Sequence, residues 1–379
     1  MVAAIVYGLD MNNPKRTRQS EFMEWAKVHS QARFNLASSG VLSVPASEFP
    51  FNIDALEITG SDGYGHEPLQ QRIARHYGIA PDCVVAANGT SMANHLAMAS
   101  VVEPGDEVLI EQPTYGPLLD VANYLGARVT RFVRTLTNAF ALDLEKLGNA
   151  ITSATRLIVL SNLHNPSGAL VPPQTLHGLA EIAVRAHAYV LIDEVYLEMI
   201  FDQRPLFAFP IGQALETENS FIVTSSLTKT YGLSGLRCGW ILAAPQLARR
   251  IWRLNDLFGV NATHPAEQLS VAAFDRLEQF RERARTLLTK NRALLDSFLD
   301  SRDDLECFRP PGGTVVFPRL TSANSEAFFQ MLREKYQTSV VPGKFFDLPE
   351  HFRIGIGGDT ESLRPGLERL GAALDEFRR

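Results

Sequence analysis

The alternation of short apolar runs with amphipathic helical patterns, from about residue 65 to residue 245, constrains the fold more than any other feature of this sequence. Within the runs every position is apolar, as is typical of strands buried on both faces of a sheet. Helical spacing appears between the runs, as in Leu69, Ile73 and Tyr77. Strands and helices in this order predict a large α/β domain on a parallel sheet. The predicted strands contain residues 108–110, 157–160, 190–192, 221–223 and 240–242.

The length of the chain predicts a second, smaller domain. The chain has 379 residues, more than the ~250–300 that one hydrophobic core usually supports. A long charged helical segment runs from about residue 263 toward residue 302, and strand candidates follow at 314–317 and 352–356. The predicted units are an N-terminal segment at 1–45 that joins the small domain, a large domain at 46–262, and a connecting helix with a small α+β domain at 263–379.

Charge, hydropathy and cysteine content exclude several classes of partner. The net charge is −6, and the basic residues are spread along the chain, so no basic stripe predicts nucleic-acid binding. No apolar run approaches the ~18 residues of a membrane span. The three cysteines lack metal-ligand spacing and favour a reducing compartment. We therefore expect a cytoplasmic protein without nucleic-acid or membrane partners.

Lys229 is the first candidate for chemistry. It follows the predicted strand at 221–223, and a lysine in a partly dry pocket has a lowered pKa and a nucleophilic amine. A lone lysine is more often solvated on the surface. Here Ser226 and Arg237 lie close by in sequence and offer a hydroxyl and a planar guanidinium to a phosphate. Together the three residues indicate a phosphorylated aldehyde bound to the lysine.

Polar residues follow two further predicted strands. Asp193 comes directly after 190–192, at the strand end where open α/β sheets bind ligands. A buried carboxylate needs a partner, for which a protonated pyridine nitrogen is suitable, although a strand-end Asp is also a common helix N-cap. The segment 162–168 is by itself an ordinary turn, but it lies at the same predicted sheet edge. Its His164 is expected to be a packed or surface imidazole.

Two weaker signals lie nearer the N-terminus. Thr90 and Ser91 precede a predicted helix, where they either bind phosphate at its N-terminus or cap it. Tyr115 follows the predicted strand at 108–110, and either stacks on an aromatic ring or packs in the core. The residues alone leave both alternatives open.

The combined motifs resemble those of a known family. They are Ser226-x-x-Lys229 with Gly235-x-Arg237, Asp193-x-x-Tyr196, and Asn165-Pro-Ser-Gly168. In this order and at these separations they resemble the class I/II aminotransferases of pyridoxal 5′-phosphate (PLP) fold type I, from Gly40 to Arg353. The resemblance implies a mostly parallel seven-stranded sheet in a PLP-binding large domain, a smaller α+β domain, and a homodimer with active sites at the interface.

The resemblance also implies roles for individual residues. Lys229 would bind the cofactor covalently and shuttle a proton, Asp193 would pair with the pyridine nitrogen, and Tyr196 and Asn165 would bond the ring's 3′ oxygen. The remaining implied contacts are phosphate binding by Thr90, Ser91, Ser226 and Arg237, ring stacking by Tyr115, and binding of the substrate α-carboxylate by Arg353 beside Gly40.

One position departs from the family pattern. Gly60 stands where the family often has a tyrosine that reaches the phosphate of the neighbouring subunit. Tyr64, between two glycines, is our candidate for a substitute contact, and packing in the interface or facing the substrate is the alternative. The resemblance further predicts cis peptide bonds at Gln112–Pro113 and Asn165–Pro166.

The implied activity is transfer of an amino group between an L-amino acid and a 2-oxo acid. A PLP-dependent lyase or cyclising enzyme on the same scaffold is the closest alternative, because these reactions begin with the same α-proton removal. A serine acyl-enzyme would need Ser-Asp-Asn and Lys-Thr-Gly partners, which the sequence lacks. A non-catalytic PLP sensor is disfavoured, because no DNA-binding segment precedes Gly40.

Overall fold

The computed structural model describes residues 16–49, 51–60, 63–203, 205–214, 221–321 and 325–378. The strands are, in chain order, β1 (Phe34–Asn35), β2 (Val84–Asn88), β3 (Glu107–Gln112), β4 (Arg128–Val133), β5 (Thr155–Ser161), β6 (Tyr189–Asp193), β7 (Phe221–Ser226), β8 (Cys238–Leu242), β9 (Leu305–Glu306), β10 (Val315–Val316), β11 (Arg319–Leu320), β12 (Thr338–Ser339), β13 (Val341–Pro342) and β14 (Phe352–Gly355). The α-helices are α1 (Glu21–Glu24), α2 (Glu67–Tyr77), α3 (Gly89–Ala99), α4 (Gly116–Tyr124), α5 (Leu144–Ala150), α6 (Pro173–Ala186), α7 (Ala208–Gln213), α8 (Pro245–Asn255), α9 (His264–Phe274), α10 (Leu277–Asp300), α11 (Ser325–Glu334) and α12 (Thr360–Phe377).

A seven-stranded sheet in the order β2-β8-β7-β6-β5-β3-β4 forms the centre of the molecule. Its strands are parallel except β8, which is antiparallel to both β7 and β2. The predicted mostly parallel sheet is therefore confirmed. All five predicted strands belong to it, whereas β2 and β4 were not predicted.

Both faces of the sheet are covered by helices. Along β3, Leu109 packs into one hydrophobic cluster with residues of α2 and α6, while its neighbours Val108 and Ile110 pack into another with residues of α3, α4 and α8. Each of these strand side chains is fully buried. The uniformly apolar strand runs thus follow from an α/β/α layering that excludes water from both sheet faces.

The small α+β region combines the two ends of the chain. Strands β10, β14 and β13 form an antiparallel sheet, and β1 pairs in parallel with β12. The predicted long helix is instead two helices, because the backbone at Arg276 (φ −134°, ψ 23°) leaves the helical conformation. Asp275, at the break, pairs with Arg72 of α2. The domain limits themselves stay a prediction.

No helix in the described part of the chain is long and apolar enough to cross a membrane.

Candidate active site

A cavity of about 850 Å³ lies at the carboxyl ends of the parallel strands. Strand pairing sets Ser161 opposite Asp193 and Asp193 opposite Thr224, so the strand ends meet at one edge of the sheet. The predicted site residues that line this cavity are Thr90, Ser91, Tyr115, Asn165, Asp193, Tyr196, Ser226, Lys229, Arg237 and Arg353. The structure therefore brings together motifs that are far apart in the sequence.

Lys229 lies in the loop after β7 and contacts the N-terminal segment. Its Nζ donates to Ser39 Oγ at 3.1 Å, and its backbone carbonyl accepts from the Val41 N–H at 3.0 Å. A Cβ built on Gly40 would lie 3.6 Å from Lys229 Cδ. Gly40 therefore lies beside the lysine side chain, and the segment around it holds the amine in place.

Asp193, at the end of β6, is a buried carboxylate with several donors. Its Oδ2 accepts from Asn94 Nδ2 at 3.0 Å, and its Oδ1 accepts from the Val195 N–H at 3.1 Å. Thr224 Oγ1 donates to Asn94 Oδ1 at 2.6 Å and so orients the amide. Burial raises the pKa of Asp193, and these bonds and nearby Lys229 oppose that rise. Because the next helical turn begins only at Leu197, Asp193 is not a helix N-cap.

The N-terminus of α3 forms an anion cradle with Arg237. Thr90 and Ser91 lie in the first turn, where neither caps the helix, because Asn88 is the N-cap residue. The Thr90 hydroxyl is buried and has no hydrogen-bond partner among the described residues. A Cβ on Gly89 would lie 2.2 Å from Arg237 Nη2, so only glycine lets the guanidinium approach the helix. Helix N–H groups, an unpaired hydroxyl and a cation suit a phosphate.

Tyr115 forms part of the cavity wall at the N-terminus of α4. Its ring packs edge-on against Phe22 at 5.4 Å between centroids, and its hydroxyl contacts Met23 Sδ at 3.7 Å. Burial raises the pKa of the phenol, so it stays neutral. The phenol therefore joins the wall of the cavity to the N-terminal segment.

Arg353, on β14, is a buried cation. Nη1 donates to Asn165 Oδ1 at 2.9 Å and Nη2 to the Ala37 carbonyl at 3.2 Å, while Nε has no partner in the described structure. The guanidinium lies 5.1 Å from the Phe346 ring centroid. Burial lowers its pKa, and among the described groups no carboxylate raises it. An unpaired buried charge is costly, so this site favours a carboxylate ligand.

Comparison with known proteins identifies the family. The sequence profile described as Aminotransferase class I and II matches residues 56–370. The chain belongs to this family. It is 30% identical to capreomycidine synthase of Streptomyces vinaceus over 96% of this chain and 94% of that protein. It is 29% identical to arginine–pyruvate transaminase AruH of Pseudomonas aeruginosa over 88% and 87%.

Solved structures agree with this assignment. A PLP-dependent aminotransferase from Streptococcus suis superposes with a TM-score of 0.88 at 27% identity, covering 97% of this chain and all of that one. This aminotransferase thus has PLP fold type I and is a PLP-dependent transaminase, as the motifs predict. The cradle at Gly89, the unpaired Thr90 hydroxyl and the buried Asp193 fit the phosphate and pyridine of PLP.

Gly60, where the family often has a tyrosine, lies against a histidine ring in this aminotransferase. A Cβ on Gly60 would lie 2.2 Å from His264 Nδ1, so the imidazole occupies the space of a larger side chain. Tyr64 is 51% exposed, lies outside the cavity of its own chain, and donates to Asp256 Oδ2 at 3.2 Å. Its proposed contact across a subunit boundary stays a prediction.

One of the two predicted cis bonds is wrong. Gln112–Pro113 is cis, but Asn165–Pro166 is trans, and the second cis bond is Asn162–Leu163. A hydrogen bond from the His164 N–H to the Ala169 carbonyl, at 2.8 Å, closes the turn that contains Asn165 and Pro166. His164 is a packed, fully buried imidazole, one of the two environments expected for it.

Three residues of the site were not found from the sequence. Ser39 accepts a hydrogen bond from Lys229, Asn94 donates one to Asp193, and Thr224 donates one to Asn94. Asn94 lies four residues after Thr90, one helical turn along α3, so helical spacing was a usable signal. For Ser39 and Thr224 the sequence offers no signal, because their partners, Lys229 and Asn94, lie 190 and 130 residues away in the chain.

Proposed function

We propose that the residues around this cavity carry out transamination between an L-amino acid and a 2-oxo acid. The observation that carries the proposal is the convergence of Lys229, Asp193, the α3 cradle and the unpaired Arg353 on one cavity of about 850 Å³. An amine, a carboxylate, an anion site and a buried cation together match the groups of PLP and of an amino acid.

The cofactor roles that we propose are those that the family resemblance implies, for residues that line the cavity. Bound PLP supplies an electron sink for the amino acid's α-carbon. Asp193 would keep the pyridine nitrogen protonated, Tyr196 and Asn165 would bond the ring's 3′ oxygen, and Tyr115 would cover the ring. Thr90, Ser91, Ser226 and Arg237 would hold the phosphate.

The substrate roles fall to Lys229 and Arg353. Lys229 Nζ takes the α-proton and returns it, acting as a general base and then a general acid. The Ser39 hydroxyl, 3.1 Å away, orients this amine. Arg353 takes the α-carboxylate through charge-assisted bonds, and Asn165 orients its guanidinium. Gly40 leaves space beside the lysine for the substrate.

We also propose a cytoplasmic homodimer with active sites at the interface. Around α4 and α8, the described chain exposes Tyr124, Leu257, Phe258 and Val260, with 45–77% of each residue accessible. His95 contacts both the Tyr124 and the Phe258 ring, which places these aromatics side by side. Exposed apolar clusters are typical of protein–protein interfaces and support this proposal. Sedimentation of the purified protein at twice the monomer mass tests it.

The function is tested by exposing the PLP-loaded protein to single amino acids. L-Arginine is included because a relative is named arginine–pyruvate transaminase, and L-aspartate and L-glutamate because Lys27 lines the cavity. A donor should convert the bound cofactor to its amine form and release one equivalent of 2-oxo acid. Loaded protein that reacts with none of the common amino acids contradicts the proposal.

A cyclising or eliminating activity is the second candidate, because one relative is named a synthase rather than a transaminase. Such an enzyme would consume its amino acid over many turnovers while its cofactor stays in the aldehyde form. Measuring the cofactor form and the product in the same sample distinguishes the two activities.

A further inference from the structure

A buried ion pair lies beneath the turn that carries Asn165. Glu111 Oε2, on β3, accepts from Arg134 Nη1 at 2.7 Å, and both side chains are fully shielded from solvent. Arg134 Nε donates to the Phe140 carbonyl at 2.6 Å. Neither residue lines the cavity, and the catalytic roles proposed above do not use them.

Hydrogen bonds connect this pair to the substrate side of the cavity. Glu111 Oε1 accepts from both the N–H and the hydroxyl of Ser161, each at 2.7 Å. Ser161 Oγ in turn accepts from the Asn165 N–H at 2.9 Å, and Asn165 Oδ1 accepts from Arg353 Nη1 at 2.9 Å. The Ser161 hydroxyl has a single proton, which it donates to Glu111. The lone pairs of Ser161 Oγ are therefore available to accept from the Asn165 N–H.

The charges in this cluster are those of Glu111 and Arg134. Burial raises the pKa of Glu111, and the hydrogen bonds from Arg134 and Ser161 oppose that rise and favour the ionised carboxylate. His164, whose Nε2 is 3.8 Å from Glu111 Oε2, is neutral, because burial holds its pKa well below the usual value. Its Nε2 donates to the Pro113 carbonyl at 2.9 Å. Arg134 is therefore the residue that balances Glu111.

We propose that Glu111, held by Arg134, is a positioning residue that sets Asn165 and, through it, the carboxylate-binding geometry of Arg353. The inference rests on the role proposed above for Arg353. Buried ion pairs are weak sources of stability, and apolar residues of similar volume often replace them without loss. An apolar pair in place of Glu111 and Arg134 would not provide a fixed hydrogen-bond acceptor for Ser161.

Ser161→Ala is the first test, because it breaks the connection and leaves the ion pair in place. We expect KM for the amino donor to rise about tenfold, which is less than the ~100-fold loss caused by a 1 Å misplacement of reacting groups. The value of kcat should change less than about threefold. An analogue of the donor that lacks the amino group binds only through its carboxylate. Its dissociation constant, measured by calorimetry, should rise by the same factor as KM. PLP content should be unchanged, because Lys229 and the phosphate contacts hold the cofactor even when the Asn165 bond to its 3′ oxygen is weakened.

Glu111→Gln is the second test, and Glu107→Gln is its matched control. Glu107 lies at the other end of β3, is also buried, and accepts from the hydroxyls of Thr152 and Thr155 at 2.8 and 2.5 Å. Both substitutions should lower the melting temperature, but only Glu111→Gln should raise KM and weaken carboxylate binding. If Glu111→Gln does not fold, Ser161→Ala decides.

Unchanged KM and carboxylate affinity in Ser161→Ala, or an equal rise in Glu107→Gln, would overturn the positioning role. Failure of the proposed function gives a different result: Arg353→Ala would then bind the carboxylate as tightly as the wild type.

Discussion

Two charged residues of the cavity, Asp193 and Arg353, differ in how many of their hydrogen-bonding groups have partners within the chain. Asp193 on the cofactor side receives bonds from Asn94 and Val195, and Asn94 is itself oriented by Thr224. Arg353 on the substrate side is equally buried, yet it has one donor without a partner and no described carboxylate near it. The cofactor side is preorganised within the chain, whereas the substrate side is left for its ligand to complete.

Lys229→Ala should have the largest effect, because it removes the amine that would both bind the cofactor and move the proton of the substrate. We expect turnover to be lost, since general acid–base catalysis alone contributes about 10²–10⁴-fold. Some PLP should still be retained on dialysis, because the α3 cradle is untouched. Borohydride reduction followed by mass measurement should show covalent cofactor in the wild type only. A variant with wild-type turnover would remove Lys229 from the mechanism.

Arg353→Ala tests the charged residue of the substrate side directly. Losing a charge-assisted bidentate pair should weaken substrate binding by about 2–4 kcal/mol, seen as a higher KM. PLP content should match the wild type, because none of the phosphate contacts changes. Arg353→Lys keeps the charge but not the planar donor pair, so it should recover only part of the affinity. Equal carboxylate affinity in wild type and alanine variant would contradict the assignment.

Tyr64→Phe asks whether the cofactor side is completed by one chain or by two. A lost hydrogen bond to a partner's phosphate should weaken PLP binding by about 1.5–3 kcal/mol. If the hydroxyl bonds only Asp256, as it does within one chain, PLP affinity should stay unchanged. Titration of the apo variant with PLP measures the difference, and wild-type affinity would exclude Tyr64 from the cofactor site.

Asn94→Ala should give the smallest effect, about tenfold in kcat/KM, at the low end of the ~1.5–3 kcal/mol of a hydrogen bond to a charged group, because Asp193 keeps its bond from the Val195 N–H. The Asn94 bond lowers the pKa of Asp193, so its removal raises that pKa further. The carboxylate is then protonated at higher pH, and the acid limb of the kcat/KM profile should move upward in pH. Thr224→Val should shift it in the same direction by less. An unmoved acid limb would show that Asp193 does not depend on Asn94.

Much of the central sheet and of the site could be predicted because the relevant patterns are local. Lys229, Asp193 and Asn165 each follow an apolar run, and parallel strands end at one edge of their sheet. Strand β4 was missed because it is an edge strand, half exposed and interrupted by polar residues. The break at Asp275–Arg276 was missed because neither Pro nor Gly marks it, and the stabilising partner Arg72 is 203 residues away.

The sequence by itself determined five strands of the sheet, the resemblance to the family and the motif residues, because hydrophobic periodicity and short spacings act between near neighbours in the chain. Only the tertiary structure decided which groups support those residues. Ser39 meets Lys229 across 190 residues and Asn94 meets Asp193 across 99, while Glu111 reaches Ser161 across 50. Such contacts depend on how strands and helices pack, and a buried polar group takes whichever partner the packing places within hydrogen-bond distance.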